Sequence, residues 1–302
     1  MNDLDLALTA ATAGADIVRA QFGAHQITEQ KGRLDPVTDV DRASEKAIVA
    51  ILNRHRPEDG LLGEEGSSRA STGRRWIIDP LDGTTNFLRG IPHYAVSIAC
   101  LFKGKLEHAV IVDPVRREEF TASRGRGAQL NGRRMRVSNR PGLDGALLGT
   151  GIPFKDHCDD QLGPYSKTIE ILAGQCAGIR RAGAASLDLA YVAAGRLDAF
   201  WEIGLAPWDI AAGALLVKEA GGLVAHGVGH RFGHGGRGAG GHGRVGAGRT
   251  SRHQCDPQGN IRQNGPARNR LSERRRQAYF RIKHSWPPWA AKMHENDALE
   301  PG

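Results

Sequence analysis

The 302-residue sequence predicts an α+β half followed by an α/β half, with sheets covered by helices. Three observations carry this. An apolar helical stripe opens the chain, short β-like runs crowd residues 76–137, and from about residue 140 longer helical stretches alternate with single strands. The halves are placed at residues 1–140 and 141–225, and residues 226–302 form a separate tail rich in Gly, His and Arg.

Each element has its own signal. Leu4, Leu6, Leu8, Ala11, Ala15 and Val18 predict a helix over 3–22. A second helix should begin near Asp41, because acids favour a first turn and Ala43, Ala47, Ile48, Ile51 and Leu52 make an apolar face. Pro57 and Gly60 end it. Trp76–Asp79, Tyr94–Phe102, Leu106–Val112 and Glu119–Ala122 read as strands, and Asn131–Gly132 as a hairpin turn before Arg134–Val137. Beyond residue 140, helices are expected over Pro164–Leu172, Ala184–Ala194 and Pro207–Ala220, with a strand at Leu197–Trp201. Pro207 suits a first helical turn and Gly221–Gly222 a stop.

Charge separates the tail from the body. Residues 223–302 hold 14 basic and 5 acidic side chains, which leaves 27 and 28 in the first 222. The net +8 of the chain therefore belongs to the tail, and its basicity says nothing about partners of the near-neutral body. Cys100, Cys158, Cys176 and Cys255 have no zinc-ligand spacing. The N-terminal MNDLDLALTAATAGADIV lacks a basic leader region, and no apolar run approaches the ~18 residues that span a bilayer. A cytoplasmic protein with no membrane partner is expected.

Acidic residues cluster in four segments: DPVTDVDRASE at 35–45, GEE at 63–65, WIIDPLDGTTNF at 76–87 and WDIAAGALLVKEAGG at 208–222. Taken singly, Asp41 is an ordinary acid of a helix start, Glu64–Glu65 a solvated loop pair, and Asp209 a first-turn acid that complements the helix dipole. Asp79–Pro80–Leu81–Asp82–Gly83–Thr84 is harder to explain as a turn. A strand ending at Asp79, a bend at Pro80 and a helix starting near Gly83 would bring two carboxylates to one point with the Leu81 carbonyl between them. Hard divalent cations take such oxygen ligands, and N–H groups at Gly83–Thr85 suit a phosphate. The case rests on all four segments occurring in order.

Over residues 1–225 the sequence resembles the inositol monophosphatase family, which carries a GEE segment, a WIIDP-[IL]-DGTTNF segment and a WD-x-AAG segment at matching spacing. The resemblance implies a layered αβαβα sandwich of the inositol monophosphatase and sugar phosphatase type, a homodimer, and lithium-sensitive, Mg2+-dependent hydrolysis of small phosphate monoesters with two or three ions. It implies Glu64, Asp79, Leu81 (by its carbonyl), Asp82 and Asp209 as magnesium ligands. Asp41 and Thr84, with Glu64, would be catalytic, polarising the water that attacks phosphorus in line, and Gly83, Thr84 and Thr85 would hold phosphate oxygens. Gly183, Ala184, Ala185 and Glu202 match positions that contact the alcohol, although Ala184 stands where a hydroxyl residue is frequent. Histidinol-phosphate phosphatases tend to read DGTRAF and 3′-phosphonucleotide phosphatases DGTKEF. DGTTNF therefore favours inositol 1-phosphate or a similar polyol phosphate over histidinol phosphate or another sugar or nucleotide phosphate.

The tail departs from the family pattern, which continues after EAGG with strand, turn, strand and closing helix. Three readings stay open: a change of reading frame in a GC-rich gene, a disordered Arg/Gly arm that binds RNA, and a His-rich metal tract at His226, His230, His234 and His242. Absence of the usual terminal strands would expose a sheet edge. The runner-up function is an RNA-binding or transcription-complex protein on the phosphatase fold, with phosphate contacts from the tail.

Overall fold

Helix α1 (Asp3–Gln21) opens the chain, its first N–H groups met by Asn2, whose Oδ1 accepts from the Asp5 N–H at 2.9 Å. The computed structural model describes residues 1–24, 28–32, 35–71, 73–153, 158–226 and 280–283. A two-stranded ribbon, β1 (Thr28–Gly32) and β2 (Asp35–Thr38), leads into α2 (Asp39–His55). Thr38 caps α2, receiving the Val40 N–H at 3.1 Å, so the helix starts two residues before the expected Asp41.

An eight-stranded sheet follows. Its strands are β3 (Gly60–Gly63), β4 (Ser68–Arg69), β5 (Arg74–Asp82), β6 (Ala95–Phe102), β7 (Lys105–Asp113), β8 (Glu118–Ser123), β9 (Gly127–Leu130) and β10 (Arg133–Arg134), in the order β10-β9-β8-β7-β6-β5-β3-β4. Only β3 and β5 pair parallel; the other neighbours are antiparallel. Alternation along β5 sends Trp76 and Ile78 to one face, against Leu6, Ala10 and Ile48 of α1 and α2, and Ile77 to the other. That second face packs on α5 (Ala185–Ala193) and α6 (Pro207–Glu219).

Beyond α5 and α6 lies a parallel sheet of β11 (Leu147–Thr150), β12 (Gly178–Arg180), β13 (Ala199–Ile203), β14 (Ala225–His226) and β15 (Phe280–Lys283), ordered β12-β11-β13-β15-β14. Helix α4 (Cys158–Ala173) covers it, with a cavity of about 330 Å³ lined by Leu148, Tyr165, Leu172 and Trp201 between them. The layers run α, β, α, β, α, the mixed architecture the sequence predicts.

Four expectations need correction. Helix α4 begins at Cys158 rather than Pro164, and Pro164 sits inside it; the polar residues before Pro164 offer no apolar period to read. The hairpin turn at Asn131 and Gly132 is present, with φ of 49° and 73°, but the following strand is only Arg133–Arg134, not Arg134–Val137. β5 does not end at Asp79. It continues to Asp82 through a bulge, since Asp79 pairs Ser97 while Asp82 pairs Ala95. Finally, β15 extends the sheet past β13, although no strand period is readable in that stretch of sequence. Apart from His226 and β15, the tail, with Cys255, His230, His234 and His242, lies outside the described residues. No helix among the described residues is long and apolar enough to cross a membrane.

Candidate active site

A cavity of about 170 Å³ opens where β5, the β3–β4 loop, the start of α5, the end of β13 and the start of α6 meet. Eleven of the thirteen residues singled out from sequence line it: Glu64, Asp79, Leu81, Asp82, Gly83, Thr84, Thr85, Gly183, Ala185, Glu202 and Asp209. Asp41 lies behind it, 1% exposed, and reaches it through Thr84, whose hydroxyl is 3.0 Å from Asp41 Oδ1. Ala184 does not line it. It is buried as the residue before α5, with its methyl facing Gly83, so any influence on substrate is through spacing.

Local structure explains the convergence. The β5 bulge falls at Pro80, which has no N–H for the ladder, and the Ser44 hydroxyl holds the Pro80 carbonyl at 2.9 Å. Gly83 then turns the chain at φ 89°, a conformation that favours glycine, and α3 (Thr84–Leu88) begins. A side chain on Gly83 would also meet the His93 carbonyl at 3.0 Å. Glu45, buried on α2, accepts the N–H groups of Glu65 and Ser67, both at 2.9 Å, and thereby sets the loop carrying Glu64. Asp209 accepts the Ala206 N–H at 2.6 Å, which fixes it in the first turn of α6.

The electrostatics are those of crowded carboxylates. Burial, then the charges of Glu64, Asp82 and Asp209, hold the Asp79 carboxyl well above its ordinary range. Burial pushes Asp82 up to about 6 despite the Ser186 hydroxyl and N–H bound to it. Asp41 is also raised by burial, against hydrogen bonds from Thr38 and Thr84. Such a set fits a divalent cation: every donor is oxygen, and positive charge among them would relieve the repulsion that raises Asp79. Among the described residues no three acidic, His or Cys side chains already close on a single point. The donors line one cavity.

Sequence reasoning missed Asn86, Gly151, Ile152, Arg181, Ile203 at the end of β13, and Gly204 and Leu205 after it, all of which line the cavity. It also missed Ser186 and Asp188, buried beside it. Asn86 is visible in DGTTNF, but its role is tertiary: its amide donates to the His93 and Ala182 carbonyls at 2.8 and 2.9 Å, tying α3 to the 182–184 loop.

A model of the inositol monophosphatase family matches residues 2–255, further than the 225 residues over which the motifs are legible. A Nus factor SuhB of Pseudomonas aeruginosa is 59% identical over 228 residues, 74% of this chain and 84% of that protein. The solved IMPase of Thermotoga maritima superposes with a TM-score of 0.68 at 36% identity, covering 74% of this chain and 85% of that one. An IMPase/NADP phosphatase solved with Mg2+ and phosphate superposes with a TM-score of 0.60 at 29% identity, over 68% of this chain and 77% of that one.

Proposed function

The chain belongs to the inositol monophosphatase family, and from that premise we propose that it is an Mg2+-dependent phosphatase of small phosphate monoesters, inositol 1-phosphate first, working as a homodimer. The observation that carries this reading is the single cavity lined by Glu64, Asp79, Asp82 and Asp209 with the Asp41–Thr84 pair at its edge. Glu64, Asp79, the Leu81 carbonyl, Asp82 and Asp209 would hold the cation. When bound, Mg2+ supplies charge to phosphoryl oxygens and lowers the pKa of water.

The chain's own groups do the rest. The Thr84 hydroxyl donates to Asp41 Oδ1 at 3.0 Å, which leaves its oxygen lone pairs to accept a hydrogen bond from the attacking water; as water gives up its proton to Thr84, Thr84 passes its own to Asp41. Asp41, raised by burial, is a stronger base than a solvated carboxylate and takes that proton through Thr84. Gly83, Thr84 and Thr85 would hold phosphate oxygens, and Gly183, Ala185 and Glu202 would face the alcohol. The 59% identical relative bears the name Nus factor, which supports a second reading, a transcription-complex partner on the same fold.

Phosphate release from inositol 1-phosphate by the full chain, with and without Mg2+ and with added lithium, tests the first reading. Turnover that needs Mg2+ and falls with lithium is expected. A folded protein with no turnover on inositol 1-phosphate or other polyol phosphates would overturn it. Salt-sensitive RNA binding by the folded full chain, without phosphate release from any polyol phosphate, would favour the second.

A further inference from the structure

Helix α5 has no cap of its own. The residue before it is Ala184, which has no side-chain acceptor for the free N–H groups of the first turn. A carboxylate 104 residues earlier in the chain fills that place. Asp82 Oδ2 accepts the Ser186 N–H at 2.7 Å and the Ser186 hydroxyl, and the Ala185 N–H also bonds this carboxylate. Asp82, on the last residue of β5, is thus an N-cap in trans for a helix of the other half.

The arrangement divides the labour of the two carboxylate oxygens. Oδ2 is committed to Ser186, whereas Asp82 lines the cavity together with Asp79 and Asp209. Ser186 is 0% exposed and does not line the cavity, so it acts only through Asp82. Resting on the metal-dependent reading above, we propose that Ser186 is a positioning residue for Asp82: its hydroxyl and N–H pin Oδ2 so that Oδ1 is presented to the cation. Because the same contact seats the first turn of α5, it also fixes Ala185, which lines the cavity beside Asp82.

The test is direct Mn2+ binding to the full-length protein, followed by electron paramagnetic resonance of free Mn2+, for wild type, Ser186→Ala, Ser186→Thr and Asp82→Asn. Partners that orient a metal ligand typically carry 10–100-fold in affinity, so Ser186→Ala should weaken the Mn2+ site by about tenfold. Ser186→Thr, which keeps the hydroxyl, should stay near wild type. At saturating Mg2+, kcat of Ser186→Ala should be largely restored, a split that simple loosening of the fold would not give. Unchanged Mn2+ affinity in Ser186→Ala, beside a wild-type site that Asp82→Asn abolishes, overturns the positioning role and leaves the metal site standing. Wild type with no Mn2+ site sensitive to Asp82→Asn overturns the metal-dependent reading itself.

Discussion

At the scale of the residue, the decisive chemistry is a set of crowded carboxyl groups, with Asp41, Asp79 and Asp82 buried and Glu64 and Asp209 half-buried at the cavity. Asp41 is held by Thr38 from its N–H at 2.8 Å and by the Thr84 hydroxyl, so it cannot swing away from the cavity. Replacing Asp41 by Asn keeps these shapes but removes the base, and kcat should fall by roughly 10²–10⁴, the usual contribution of general base catalysis, with the circular dichroism spectrum unchanged. Asp188 makes a separate prediction. Burial, and after it the charge of Asp82, raises this carboxyl well above its ordinary range, against a smaller opposing pull from Arg181. The folded chain then keeps a proton that the unfolded chain has lost, so Asp188 costs stability as pH climbs from the ordinary carboxylate range towards its raised value. Asp188→Asn imitates the neutral form. In metal-free buffer its melting temperature should match wild type near pH 4 and exceed it at pH 8; equal values at both would refute the shift.

At the scale of the element, close approach of backbones sets the middle helical layer. A Cβ on Gly213 of α6 would lie 2.4 Å from Leu189 Cβ of α5, so the two helices pack at a distance only glycine allows there. Gly213→Ala should destabilise by about 1–3 kcal/mol, the usual cost of overpacking, read from urea unfolding. The β5 bulge is the other element-scale device. In a regular strand Asp79 and Asp82, three residues apart, would point to opposite faces of the sheet; the extra residue of the bulge lets both line one cavity. The sequence shows the Pro80 that marks this place, but a bulge inside a strand and a bend after one look alike until the partner strand fixes the register.

At the scale of the whole molecule, the five-stranded sheet is closed by residues far along the chain. β15 pairs with β13 in parallel, from Phe200 opposite Phe280 to Ile203 opposite Lys283, and Glu202 and Ile203 of that strand line the candidate site. A chain stopped after His226 would leave β13 as an open edge. It should melt at a lower temperature than the full chain and self-associate on size-exclusion chromatography with light scattering. A truncated protein that melts like the full chain would mean that β15 supports nothing.

What the sequence determined by itself is what short-range chemistry writes. Helical stripes place α1, α2, α5 and α6, apolar runs place β5 to β8, and the acidic segments carry eight of the eleven expected residues that meet at one cavity. Strands of two to four residues such as β3, β11, β12 and β15 leave no readable period, because alternation needs more positions than they contain. Only the tertiary structure decided that Asn86 bridges to Ala182, that Arg181 and Gly151 face the acids, and that Ala184 lies beneath Gly83 instead of in the cavity. It also decided that Asp82 caps a helix 104 residues away. The reason is physical: burial, charge crowding and capping across the fold depend on which segments pack together, and that is settled by the whole core, not by any local stretch of the chain.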